Sequence, residues 1–216
     1  MKFTTISPLV LSSRAKRHRP MLSPSLKWMN DEFGRYIRET DEVPWFYNER
    51  SVLGFFISGL VRKGDAVVLQ EFSCYKGKGQ SKKRKLGRAD LYFNLKGSDY
   101  LAEAKWGYTL VNTRSEIDGA VKWAKQGLYQ ANQYAKDAKV KKANVFSMCF
   151  EVIYCSATKY DDYTEDIKAW KIKDTNELCG LDYYSLIEAS ATVHKKFYRY
   201  KNEFYPALAV YGLFNQ

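Results

Sequence analysis

Cysteine, histidine and proline are scarce in this chain, and each shortage removes a class of protein. Its 4 cysteines among 216 residues, Cys74, Cys149, Cys155 and Cys179, are scattered. No CxxC pair and no histidine at zinc-ligand spacing accompanies them, which argues against a structural zinc site. They read as reduced core thiols of a cytoplasmic protein. The 2 histidines, His18 and His194, both lie in basic stretches, which disfavours histidine-based triads and His-rich metal sites. With only 5 prolines and no linker-like low-complexity segment, the chain offers no obvious break between domains. No apolar run approaches the ~20 residues of a spanning helix. Residues 1–13 carry a short apolar patch, but Arg14, Lys16, Arg17 and Arg19 follow it, the reverse of a secretory signal.

What is present suits a packed core with a polyanionic partner. Hydrophobic residues make up 45% and aromatics 16%, with 17 Tyr and 12 Phe, unlike a disordered chain. Lys and Arg number 35 against 24 Asp and Glu, a net charge of +11. A surplus of that size points to nucleic acid first and an anionic membrane surface second.

Residues 1–45 read as a basic, Pro-containing arm (Arg14 to Pro24) and a helix from about Leu26 to Thr40. Residues 46–216 read as the main body of a single compact domain. A second helix is expected over Phe46 to Arg62, with Leu53, Phe56, Ile57 and Leu60 at helical spacing. Strands are expected at Ala66 to Cys74, Ala89 to Leu95, Tyr100 to Trp106 and Val145 to Cys155, with a helix over Ser115 to Lys136. A further helix near Asp161 to Lys171 and a last strand at Tyr205 to Phe214 complete the reading. The fold class is therefore α/β, with an αβββαβ order and helices packed against a small mixed sheet.

The two short strands carry the chemistry. Gly97-Ser98 suits a two-residue type II′ turn, which sets Asn94 opposite Leu101, Tyr92 opposite Glu103 and Asp90 opposite Lys105. One face then reads Leu91, Phe93, Leu95, Tyr100, Ala102 and Ala104, and the other Asp90, Tyr92, Asn94, Leu101, Glu103 and Lys105. Two carboxylates beside a lysine suit a hard cation such as Mg²⁺, which takes one or two carboxylates, waters and a substrate phosphate. Such an ion polarises a phosphodiester and acidifies a bound water. The lysine can assist deprotonation or stabilise the transition state. Without other support, the same residues would be a solvated cross-strand ion pair.

Gly87-Arg88-Ala89-Asp90-Leu91-Tyr92-Phe93 and Leu101-Ala102-Glu103-Ala104-Lys105-Trp106 together resemble the PD-(D/E)xK nuclease superfamily. Its pattern is an Asp on one strand, a hairpin, and an (Asp/Glu)-x-Lys strand; here Ala89 stands where the family name has Pro. The resemblance implies a restriction-endonuclease-like core over about residues 46–155. It assigns Asp90 and Glu103 to Mg²⁺ or Mn²⁺ and makes Lys105 the catalytic lysine. Asp137-Ala138-Lys139 and Asp166-Ile167-Lys168 share the triplet, but no preceding strand supplies them with a carboxylate. Glu49, on the inward stripe of its helix, resembles the metal-linked Glu of many members, although a Glu in a first turn also simply favours a helix N-terminus. Gln130-Ala131-Asn132-Gln133-Tyr134 resembles the Gln-x-x-x-Tyr motif of the RecB-like branch, with Gln126 and Gln133 as competitors for Gln130.

Lys76, Lys78, Lys82, Lys83, Arg84, Lys85 and Arg88 crowd a Gly-containing loop just before Asp90, where they would contact DNA phosphates without reading sequence. The aromatic-rich end from Phe197 to Tyr211 reads mainly as core, and Asp161, Asp162, Glu165 and Asp166 as a solvated helix start. The expected function is a metal-dependent deoxyribonuclease, with DNA as partner, as a homodimer or within a larger nucleoprotein complex. Its rivals are an inactive nucleic-acid-binding module and a basic accessory subunit.

Overall fold

A computed structural model describes residues 2–62, 66–76, 85–111, 117–137, 142–156, 167–168, 170–172, 175–190 and 203–215. Its elements are β1 (Thr4–Ile6), β2 (Val10–Leu11), α1 (Arg19–Thr40), α2 (Glu49–Arg62), β3 (Ala66–Lys76) and β4 (Lys85–Leu95). There follow β5 (Ser98–Leu110), α3 (Ile117–Asp137), β6 (Asn144–Ser156), β7 (Tyr183–Ala189) and β8 (Glu203–Gly212). The fold is α/β: one mixed sheet in the order β1-β7-β8-β6-β5-β4-β3, with β2 also on β7. Among the described strands only the β5–β6 pairing is parallel, and α3 supplies the crossover that a parallel pair requires.

From α2 to β6 the order is α–β–β–β–α–β, as periodicity predicts. The α2 stripe buries Val52, Leu53, Phe56 and Leu60. Asn48 starts that helix by accepting the Ser51 backbone N–H at 3.0 Å, an N-cap bond. Leu91, Phe93, Leu95, Tyr100, Ala102 and Ala104 share one hydrophobic cluster with α1 and α2. On the opposite face Leu101 and Val145 pack with Ala131, Tyr134 and Ala135 of α3. Helices thus cover both faces of the sheet.

Several elements depart from expectation. Residues 14–24 are not an arm: a 3₁₀ turn (Ser13–His18) leads into α1, which starts seven residues before the expected Leu26. Pro20 stands in the first helical turn, where no N–H bond is lost, and Met21, Leu22 and Leu26 are buried. The basic loop is shorter than expected, because Lys76 ends β3 and pairs with Lys85, the first residue of β4. Lys78, Lys82, Lys83 and Arg84 lie outside the described residues, as do Asp161 to Asp166 and Phe197 to Tyr200. Of the expected helix at Asp161 to Lys171, only Ile167 and Lys168 are described as helical, and Trp170 is a turn. Cys149 and Cys155 are buried thiols, but Cys179 is exposed instead of in the core. β1, β2 and β7 are additions to the expected sheet; Tyr183-Tyr184-Ser185-Leu186-Ile187 is β-favouring and was readable as a strand. No helix among the described residues is long and apolar enough to cross a membrane.

The hairpin turn also moves by one residue. Lys96 (φ +52°) and Gly97 (φ +79°) are both left-handed, the signature of a type I′ turn at Lys96-Gly97. Asn94 therefore faces Asp99, and Tyr92 faces Leu101, not Glu103. Asp99 Oδ1 accepts both the Tyr92 hydroxyl (2.7 Å) and the Asn94 amide (2.8 Å), which favours this register. A change of two in pairing keeps Leu91, Phe93 and Leu95 on the face packed against α1 and α2, and Tyr92 with Leu101 on the other, as expected. It brings Asp90 toward Glu103 instead of Lys105.

Candidate active site

The site is built where β4 and β5 separate. Their ladder ends at Leu91↔Ala102. The Ala104 N–H beyond it is taken by Asp90 Oδ2 at 2.8 Å, so a side chain replaces a backbone partner and fixes the carboxylate between the strands. Glu103, on the α3 side of β5, is buried at 6% exposure. Its Oε1 accepts from Lys105 Nζ at 3.0 Å, and Lys105 also donates to the Ala104 carbonyl at 2.8 Å. Glu103 Oε2 is buried with no hydrogen-bond partner.

Burial first, then the neighbouring Asp90 carboxylate, push the Glu103 carboxyl up to about 7, against the pull of Lys105. Burial and Asp90 likewise raise Glu49, opposed by Lys105 and Arg50. Glu49 thus lies within electrostatic reach of the strand carboxylates, at the first residue of α2. That end of the helix is anchored by the preceding turn, whose Phe46 carbonyl accepts the Tyr108 hydroxyl of β5 at 2.7 Å.

On the other side α3 crosses β5 at Gly127. A Cβ there would lie 3.0 Å from Ser147 Cβ and 3.5 Å from Glu103 O and Lys105 Cγ, so a larger residue would lift the helix off the site. Gln130, one turn on, has a buried Oε1 with no hydrogen-bond partner, whereas Gln126 is exposed. The structure thus brings Asp90, Glu103 and Lys105 together, with Glu49 and Gln130 on the flanking helices.

Of the expected phosphate-contacting residues, Arg88 is on β4 and donates to Glu71 at 2.9 Å. Arg50 meets the same carboxylate at 2.6 Å. Sequence reading missed Arg50, Glu71 and Gly127. The isolated glycine within a helical pattern was a usable signal of close packing for the last; nothing in the local pattern marked Glu71. A cavity of about 590 Å³ between β1 and α1, lined among others by Lys2, Lys27, Arg35, Arg38 and Arg62, involves none of these site residues.

The donor set can be tested against a hard cation. Among the described residues no three His, Cys, Asp or Glu side chains are grouped to hold a metal, so Glu49 does not complete a set with Asp90 and Glu103. Mg²⁺ needs only one or two carboxylates when waters and a phosphate supply the rest. Lys105 keeps Glu103 Oε1 and the Ala104 carbonyl, while Glu103 Oε2 is buried without a donor and has the Asp90 carboxylate as its neighbour. These oxygens fit such an ion. Comparison with protein-family models, curated proteins and solved structures finds no match to this chain.

Proposed function

We propose that the chain is a metal-dependent deoxyribonuclease of the PD-(D/E)xK kind, with α2 to β6 as a restriction-endonuclease-like core. The observation that carries the reading is the Asp90 carboxylate held by the Ala104 N–H next to buried Glu103 and its partner Lys105. A solvated cross-strand pair would need neither the burial nor the break in the ladder. The +11 charge and the αβββαβ order support the same reading.

Asp90 and Glu103 would hold Mg²⁺ or Mn²⁺, and the ion when bound supplies electrophilic activation of a phosphodiester. The Ala104 N–H orients Asp90. Burial of Glu103 keeps competing water from its oxygens. Lys105 donates to Glu103 and to the Ala104 carbonyl, which holds its amino group at the site, where in its charged form it would stabilise charge developing at phosphorus. Gln130 offers its buried amide oxygen to a donor on water or substrate, and Glu49 adds negative charge near the strand carboxylates.

Incubation with supercoiled, linear and single-stranded DNA in Mg²⁺, Mn²⁺ or EDTA tests this. Asp90→Asn, Glu103→Gln and Lys105→Met are each expected to lower metal-dependent cleavage by about 10²–10⁴-fold. Cleavage unchanged in all three would refute the assignment. Salt-sensitive binding without cleavage in either metal would identify a nucleic-acid-binding module instead.

A further inference from the structure

β3 contains a left-handed residue where a regular strand has none. Glu71 has φ +49° and lies between the pairs Gln70↔Leu91 and Phe72↔Ala89, opposite Asp90. A non-glycine residue in that conformation is costly and is held in place by its surroundings. Its carboxylate receives two guanidinium groups: Arg50 Nε on Oε1 at 2.6 Å and Arg88 Nη1 on Oε2 at 2.9 Å. One arginine comes from the N-terminal turn of α2, next to Glu49, and the other from β4, two residues before Asp90. Both arginine side chains are largely exposed, at 71% and 61%, and exposed ion pairs of this kind contribute little to stability. Folding energy is thus a poor reason to keep a strained residue here. Glu71 also acts electrostatically on Glu49, which puts the trio at the edge of the carboxylate site.

Two guanidinium groups that reach one anion through its two separate oxygens form the donor arrangement that suits the non-bridging oxygens of a phosphodiester. We infer that Arg50 and Arg88 form a clamp for a backbone phosphate flanking the site, and that Glu71 occupies it in the free protein as an internal competitor. The placement beside a reacting phosphate rests on the nuclease reading; the clamp's affinity for a phosphodiester does not. Binding exchanges the Glu71 carboxylate for phosphate, so each arginine adds one backbone contact and Glu71 limits the affinity.

The test is binding of fluorescently labelled single- and double-stranded oligonucleotides in EDTA, by anisotropy, over about 50–200 mM salt. Arg50→Ala and Arg88→Ala are each expected to weaken binding about 3–10-fold at the low end and to reduce the log–log salt slope by about 1. Glu71→Gln keeps the size and backbone conformation of the residue, removes the competing charge, and is expected to bind more tightly. A purely structural Glu71 would give weaker binding in that variant. Arg38→Ala, which breaks the surface pair with Glu39, controls for lost net charge. Slopes unchanged in both arginine variants, or matched by Arg38→Ala, would overturn the clamp. So would a Glu71→Gln protein that binds no tighter, or a parent protein that binds neither oligonucleotide. Cleavage is scored separately. The expected binding responses with no cleavage in Mg²⁺ or Mn²⁺ would remove the nuclease reading and leave the clamp. Cleavage abolished by Asp90→Asn, with unaltered slopes in the arginine variants, would do the reverse.

Discussion

Two buried titratable side chains bias stability in opposite directions with pH. Glu103 is raised from 4.5 to about 7 by burial and by Asp90. The folded protein therefore keeps a proton over that interval that the unfolded chain has lost, and its stability falls as pH rises from about 4.5 to 7. Glu103→Gln removes this slope. Urea midpoints measured in EDTA should move in favour of the variant between pH 4.5 and 7 and stay parallel above. His18 works the other way. It is buried, stacked on Phe214 at 3.8 Å, and lowered from 6.5 to about 4 by burial and by Arg17. Here the unfolded chain binds the proton first, so stability is lost as pH falls from 6.5 toward 4. The loss is expected to reach roughly 2–3 kcal/mol. A His18→Gln variant should show a flatter profile over the same window. The identities of Asp90, Glu103 and Lys105 were legible in the sequence because alternation along a strand assigns side chains to faces. The bond from the Ala104 N–H to Asp90 was not, since it depends on where two strands part.

Among the elements, the β4–β5 hairpin shows how a correct face assignment survives a wrong turn. Local preference favours Gly97-Ser98, yet Lys96 accepts φ +52° because Asn94, Asp99 and Tyr92 bond across the register that results. Lys96→Asn is expected to raise stability by about 0.5–1 kcal/mol, and Gly97→Ala at φ +79° to lower it by about 1 kcal/mol. Denaturant midpoints would read both. The seating of α3 depends on another glycine. A Cβ at Gly107 would lie 2.0 Å from Trp123 Cη2, so Gly107→Ala should cost about 1–3 kcal/mol, with part recovered in Gly107→Ala/Trp123→Leu. α2 and α3 were readable from their apolar stripes. The start of α1 was not, because Pro20 and Pro24 read as breakers until the first-turn position of Pro20 is known.

Across the whole molecule, the two ends of the chain meet on one buried carboxylate. Asp182 accepts the Ser12 hydroxyl at 2.6 Å, the Phe214 N–H at 2.8 Å and the Arg14 guanidinium. Asp182→Ala leaves these donors unsatisfied and is expected to lower stability by roughly 2–3 kcal/mol, measured by urea unfolding. The positive surplus was visible in composition alone. Its distribution around an acidic centre follows from folding: Arg50 and Arg88 reach one carboxylate from α2 and β4, although 38 positions separate them.

By itself the sequence determined the α/β class, the order of elements from α2 to β6, and the shared face of Glu103 and Lys105. Each of these follows from short-range periodicity and hairpin alternation. Only the tertiary structure decided the hairpin register, the addition of β1, β2 and β7, the approach of α3 at Gly127, and the pairing of Arg50 and Arg88 on Glu71. These depend on contacts between residues distant in the chain, whose energies outweigh local preference and leave no periodic trace in it.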